Sequence, residues 1–142
     1  MKFRLIPAGL GVAFAVLLPL PVFAEDIDHP TAILERHNAA FAAGNVDAML
    51  ADYAEGAVFI GPMGVLRGHD QIGAFFTAVM AEFAKPGASF TVKQTEFTDN
   101  VAYFTWQAET ADNVYELGGD TFVIEDGKIA TQTLTLKATP KP

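Results

Sequence analysis

SFTVKQTEFTDNVAYFTWQAETADNVYELGGDTFVIEDGKIATQTLTLK, residues 89–137, is four β-rich runs joined by three turn-forming pairs. The runs are Ser89–Thr98, Val101–Thr110, Val114–Glu125 and Ile129–Lys137. Between them stand Asp99-Asn100, Asp112-Asn113 and Asp126-Gly127, residue types that tolerate the tight backbone of a hairpin. Turns this short join neighbours, so the runs form an antiparallel meander. Gly118-Gly119 inside the third run marks a bulge or bend.

Upstream, Asp26 to Phe83 has helical character with one interruption. Asp28-His29-Pro30 opens a helix, since the first turn accepts a proline without losing a hydrogen bond. It runs to about Ala43; Gly44 stops it and Asn45 caps a short second helix carrying Met49, Leu50 and Tyr53. Ala57-Val58-Phe59-Ile60 is a short strand, Gly61-Pro62-Met63-Gly64 a turn and Val65-Leu66-Arg67-Gly68 the return. A third helix starts at about His69 or Asp70. Its apolar residues Ile72, Phe75, Phe76, Val79, Met80 and Phe83 recur with helical spacing and build one face. Helices followed by a long meander give an α+β domain. If the antiparallel sheet curves at Gly118-Gly119, the helices on one face enclose a cone open at one end, a site for a small, mostly apolar ligand.

The chain has 142 residues, no cysteine, 9 basic against 17 acidic residues and a hydrophobic fraction of 51%. That length holds one domain. The absence of cysteine excludes disulfides, a thiolate nucleophile and a Cys-ligated metal. A net charge of −8 argues against nucleic acid, whose phosphates need a basic face. Residues 1–24 read as a signal peptide: Lys2 and Arg4, an uncharged stretch from Leu5, then Val22-Phe23-Ala24 as the cleavage site. The expected mature domain is 25–142, periplasmic or secreted, with no membrane contact once the signal is removed. The competing reading of the uncharged stretch is a membrane anchor.

Ala43-Gly44-Asn45-Val46-Asp47-Ala48-Met49, Tyr53-Ala54-Glu55-Gly56-Ala57-Val58-Phe59, Arg67-Gly68-His69-Asp70-Gln71-Ile72 and Phe122-Val123-Ile124-Glu125-Asp126-Gly127-Lys128-Ile129 together resemble nuclear transport factor 2-like domains, in the SnoaL-like, ketosteroid-isomerase-like branch. The resemblance spans about residues 30–137. It implies a cone-shaped, cystatin-like fold, a pocket and a homodimer formed through the outer face of the sheet, where Thr131, Thr133 and Thr135 alternate. It does not fix a reaction, because the superfamily holds isomerases, dehydratases, cyclases and hydrolases as well as members without an assigned one.

Two residues are candidates for chemistry. At roughly 100° per residue, His37 falls in the apolar stripe of Ile33, Ala40 and Phe41. It is either a buried neutral histidine bonded to a backbone carbonyl or a pocket base or donor. Strand alternation puts Asp120 on one face with Phe122 and Ile124, where burial raises a carboxyl pKa unless donors or a cation compensate; the competing reading is a solvent-facing turn residue. By resemblance, His37 takes the place of the isomerases' oxyanion tyrosine and Asp120 that of their oxyanion aspartic acid. Their proton-shuttling aspartate has no counterpart, since Gly61 precedes Pro62. His37 and Asp120 are expected to meet at the inner end of the cone, directly or through one water; paired as ions, they would raise the histidine pKa and lower that of the aspartate. Tyr53, Phe59, Met63, Phe76 and Trp106 are candidate ligand contacts, with Trp106 equally placed for a dimer interface. His69 and Asp70 read as helix-cap residues, and His29 as exposed. His29, His37 and His69 lack metal-ligand spacing, and no phosphate loop is present, so neither a metal nor a cofactor is expected.

Overall fold

The computed structural model describes residues 28–142; the signal-peptide reading of residues 1–24 lies outside them. Helix α1 spans Pro30–Ala42 and α2 Val46–Leu50. Strands β1 (Tyr53–Gly61) and β2 (Gly64–Arg67) form a hairpin, followed by helix α3 (Gly68–Phe83). The meander comprises β3 (Ser89–Thr98), β4 (Val101–Glu109), β5 (Asn113–Glu125) and β6 (Lys128–Pro140).

The punctuation of the first half follows from its caps. His29 precedes Pro30, and its ring accepts the Thr31 N–H at 3.3 Å. Gly44, at φ +64°, lets the chain reverse, so that Asn45 N–H reaches back to the Ala40 carbonyl at 2.9 Å. The Asn45 side chain then accepts the Ala48 N–H at 3.0 Å and starts α2.

All six strands form one curved sheet in the order β2-β1-β6-β5-β4-β3. The meander is antiparallel throughout, but β1 lies parallel to β6, which makes the sheet mixed rather than wholly antiparallel. Alternation sorts the two faces. Phe104 and Trp106 on β4, and Asp120, Phe122 and Ile124 on β5, are buried beneath the helices. Their neighbours Tyr103, Thr105, Thr121 and Val123 are only half-buried. On β6, Ile129 and Gln132 are both buried although three residues apart. The register shifts there: Ile124 pairs with Ile129 and Val123 with Thr131, so Ala130 is an extra residue that changes the phase.

Two local expectations are corrected. Tyr53 is not on the second helix; α2 ends at Leu50, and Tyr53 opens β1, pairing with Ile129. His69 and Asp70 do not cap α3. Arg67 occupies the cap position without a side-chain cap bond, and its own N–H is taken by the Gln71 side chain at 2.8 Å. His69 instead bonds through Nε2 with the Tyr53 carbonyl at 3.0 Å, tying the start of α3 to β1.

Candidate functional site

A cavity of about 530 Å³ lies between the sheet and helices α1 and α3. Among the described residues its walls carry eight phenylalanines, Trp106 and Tyr115, with Pro62 and Met63 of the β1–β2 turn on one side. The polar residues that face it are few: His37, Asn38, Glu82, Asp120 and Gln132, besides the Trp106 indole and the Tyr115 hydroxyl.

Asp120 is 5% exposed. Its Oδ2 accepts the Trp106 indole N–H at 2.7 Å, and its Oδ1 accepts the Gln132 amide at 2.7 Å. The strand register produces this arrangement. Trp106 lies opposite Gly118, two residues before Asp120, and Gln132 lies opposite Phe122, two residues after it. All three side chains therefore project from the inner face as diagonal neighbours. Gly118 makes room for the indole: a Cβ there would stand 2.0 Å from Trp106 Cε2. The network continues behind the wall, where Tyr53 donates its hydroxyl to Gln132 Oε1 in a short hydrogen bond. Burial pushes the Asp120 carboxyl up to about 6, and the Trp106 and Gln132 hydrogen bonds pull the other way without cancelling it. Burial raises the Tyr53 phenol well above its ordinary value, helped by the negative charges of Asp120 and Asp52.

His37 projects from the middle of α1 into a cage of aromatic rings. Its ring meets Tyr53, Phe122 and Phe76 edge-on at centroid distances of 5.5, 5.5 and 5.8 Å. Burial lowers its pKa to about 4, against a smaller upward pull from a hydrogen bond with the Met49 backbone. The ring is therefore neutral near neutrality. Its Nδ1 is buried with no hydrogen-bond partner among the described residues.

The expected direct contact between His37 and Asp120 is not formed. Both line the same cavity, but both carboxylate oxygens are engaged from the neighbouring strands and His37 Nδ1 is not engaged at all. Both shifts run opposite to those of an ion pair, because burial acts on each group separately. Of the five candidate ligand contacts, Phe59, Met63, Phe76 and Trp106 line the cavity, and Trp106 lies inside it rather than on the outer sheet face. Tyr53, 2% exposed, stands behind Gln132.

Two polar residues went unread in the sequence. Gln132 is hidden by the phase change at Ala130. Glu82 was legible: it lies seven residues after Phe75, on the stripe of Phe75, Ala78 and Val79, and all four line the cavity. Glu82 Oε1 accepts from the Thr110 hydroxyl at 2.6 Å, the Asn113 amide at 2.8 Å and the Tyr115 hydroxyl at 2.9 Å. Burial pushes this carboxyl up, but the hydrogen bonds outweigh it and hold the pKa below the usual value. Burial and the Glu82 bond in turn raise Tyr115 to about 12. Among the described residues, no group of three or more His, Asp or Glu is placed to hold a metal ion.

The SnoaL-like domain model matches residues 34–132, which include His37, Asp120 and Gln132. The chain belongs to the SnoaL-like family. Solved structures similar to this SnoaL-like chain share its fold at low identity. A nuclear transport factor 2-like protein of unknown function from Mesorhizobium loti is 22% identical, with a TM-score of 0.65 over 75% of this chain and 89% of that one. A putative ketosteroid isomerase from Kribbella flavida is 16% identical, with a TM-score of 0.62 over 78% and 79%. A putative isomerase of the SnoaL-like family from Agrobacterium tumefaciens is 22% identical, with a TM-score of 0.60 over 78% and 97%. A cystatin-fold protein from Novosphingobium aromaticivorans also matches, at 15% identity with a TM-score of 0.60 over 72% and 94%. No curated protein matches the chain.

Proposed function

We propose that this chain is an exported SnoaL-like domain that holds a small, mostly apolar molecule in its cone and acts on it by acid–base chemistry of the isomerase, dehydratase or cyclase type. The observation that carries the reading is the aromatic cavity of about 530 Å³ with His37 in its wall, a neutral ring whose Nδ1 is buried without a partner among the described residues. A buried polar atom without a partner costs roughly 1–3 kcal/mol, and a ligand polar group can supply the missing bond. His37 is the base in this reading. Asp120, held by Trp106 and Gln132, orients the polar end of the cavity and supplies its negative charge.

A second reading, a non-catalytic binding domain or dimeric scaffold, is favoured by two observations. Both Asp120 oxygens are already engaged, and Gly61 offers no second base before Pro62. A thermal-shift screen with steroid-like, terpenoid and polyketide-like compounds, followed by turnover assays on the binders, separates the two. Binders turned over by the wild type but not by His37→Gln support the acid–base reading. Binders left unchanged support the second, and no binder in any class overturns the pocket itself.

The exported protein is expected to begin at Glu25 and to sediment as a dimer joined through the outer sheet face, where Thr131, Thr133 and Thr135 stand opposite the cavity side. N-terminal sequencing and sedimentation of the secreted or periplasmic protein check both. A chain still starting at Met1 in the membrane fraction, or a monomer at micromolar concentration, overturns the respective half.

A further inference from the structure

We propose that the ligand of this cavity is an apolar amine, bound as its ammonium ion with the charged nitrogen at the Asp120 end and the apolar body among the aromatic rings. The inference rests on the small-molecule pocket proposed above and adds the charge of what enters it.

Among the described lining residues there are two carboxylates, Asp120 and Glu82, and neither lysine nor arginine. Every donor that Asp120 and Glu82 receive is neutral: an indole, two amides and two hydroxyls. Lys85 feels the Glu82 charge but lies outside the wall, bonded to Asp112, so no cation lines this apolar space; an anion is repelled there and a cation is favoured. The donors facing the cavity are mostly spent. The Trp106 N–H and the Gln132 amide are used on Asp120, and the Tyr115 hydroxyl on Glu82. Asn38 is the one lining amide without a bond of this kind among the described residues. Acceptor capacity is in excess, because each carboxylate oxygen accepts more than one bond.

His37 points the same way. Its neutral ring carries one N–H and one bare lone pair. With the Met49 backbone engaging the ring and nothing engaging Nδ1, a ligand N–H completes the set. A primary ammonium has three donors, enough for Asp120 and His37 together. The aromatic walls favour a cation a second time, because ring faces attract positive charge. A ligand carboxylate finds only Asn38 and the second Gln132 N–H among the lining side-chain amides, and two anions against it.

The test uses three ligands with one skeleton and three charges: 4-phenylbenzylamine, 4-biphenylmethanol and biphenyl-4-carboxylate. Their affinities for the mature protein are measured by calorimetry slightly above neutral pH. The amine is expected to bind about tenfold or more tighter than the alcohol, and the carboxylate weakest of the three. Asp120→Asn removes the preference for the amine over the alcohol. Glu82→Gln, at the second carboxylate of the wall, reduces it and guards against misfolding of the first variant. An alcohol or carboxylate that binds as tightly as the amine overturns the amine proposal and leaves the pocket standing. Failure of all three to bind overturns the pocket reading with it.

Discussion

Gly118→Ala is expected to destabilise the fold by about 3 kcal/mol or more and to release the indole from Asp120. The added Cβ would meet three ring atoms of Trp106, at 2.0, 2.2 and 2.4 Å. These belong to a rigid ring held between Phe90 and Tyr115 at centroid distances of 5.0 and 5.8 Å, so the neighbour cannot swing away at low cost. Overpacking of this kind costs about 1–3 kcal/mol. Displacing the indole also breaks its bond to a buried carboxylate, worth about 1.5–3 kcal/mol. Gly119→Ala is the control. A Cβ there reaches nothing closer than the Tyr103 hydroxyl at 3.9 Å, so the change stays within about 1 kcal/mol. Urea unfolding gives the stabilities, and fluorescence reports the displacement, because Trp106 is the chain's single tryptophan. Equal midpoints and unchanged emission for Gly118→Ala and the wild type contradict the proposed packing.

The same glycine pair shows what the sequence discloses and what it withholds. Gly118-Gly119 announces an irregularity in a strand, and the chain does shift register beside it, between Tyr115 and Leu117. Nothing local says that an indole lies against Gly118, because that contact depends on the register between two strands. Asp120, Phe122 and Ile124 were readable as one face because a strand repeats every two residues without interruption there. On β6 the repeat breaks at Ala130, so Gln132 appears to share a face with the wrong neighbours until the bulge is seen. His37 was readable as buried from its helical stripe, and its surroundings combine features of both readings, a backbone bond to Met49 and a place in the cavity wall. What the structure does not bear out is the direct bond between these two buried polar groups, Asp120 and His37. Asp120 is held from the strands on either side and His37 by Met49 with its Nδ1 left open, and only three-dimensional adjacency distinguishes those outcomes. Tyr53 was misplaced because Met49, Leu50 and Tyr53 fit a helical spacing equally well, and the turn at Ala51-Asp52 carries no glycine or proline to announce it.

The two buried titrating groups should oppose each other in acid, so that each becomes visible only when the other is removed. His37 has its pKa lowered from 6.5 to about 4. Its neutral form stabilises the fold fully above about 6.5, and that contribution is lost as pH falls toward 4. Asp120 has its pKa raised from 3.8 to about 6. Its ionised form burdens the fold at neutrality, and the burden lifts as pH falls through 6, completely below about 3.8. Each shift corresponds to about 3 kcal/mol at roughly 1.4 kcal/mol per unit, with opposite sign over nearly the same window. The wild type should therefore show little net slope from this pair between about pH 6 and 4. Glu82 and Glu116, held below their usual values, add a loss of stability in more acidic solution that is common to all variants. Asp120→Asn removes the gain, so its stability relative to the wild type should fall by about 1.4 kcal/mol per pH unit from pH 6 to 4. His37→Gln removes the loss, and its stability relative to the wild type should rise over the same range. Urea denaturation at a series of pH values yields both difference curves. NMR titration of His37 should find its pKa still near 4 in Asp120→Asn, because burial and Met49 set it and the carboxylate does not. A flat difference curve for Asp120→Asn contradicts the raised carboxyl pKa. A His37 pKa that drops in that variant restores the ion pair that the present geometry does not contain.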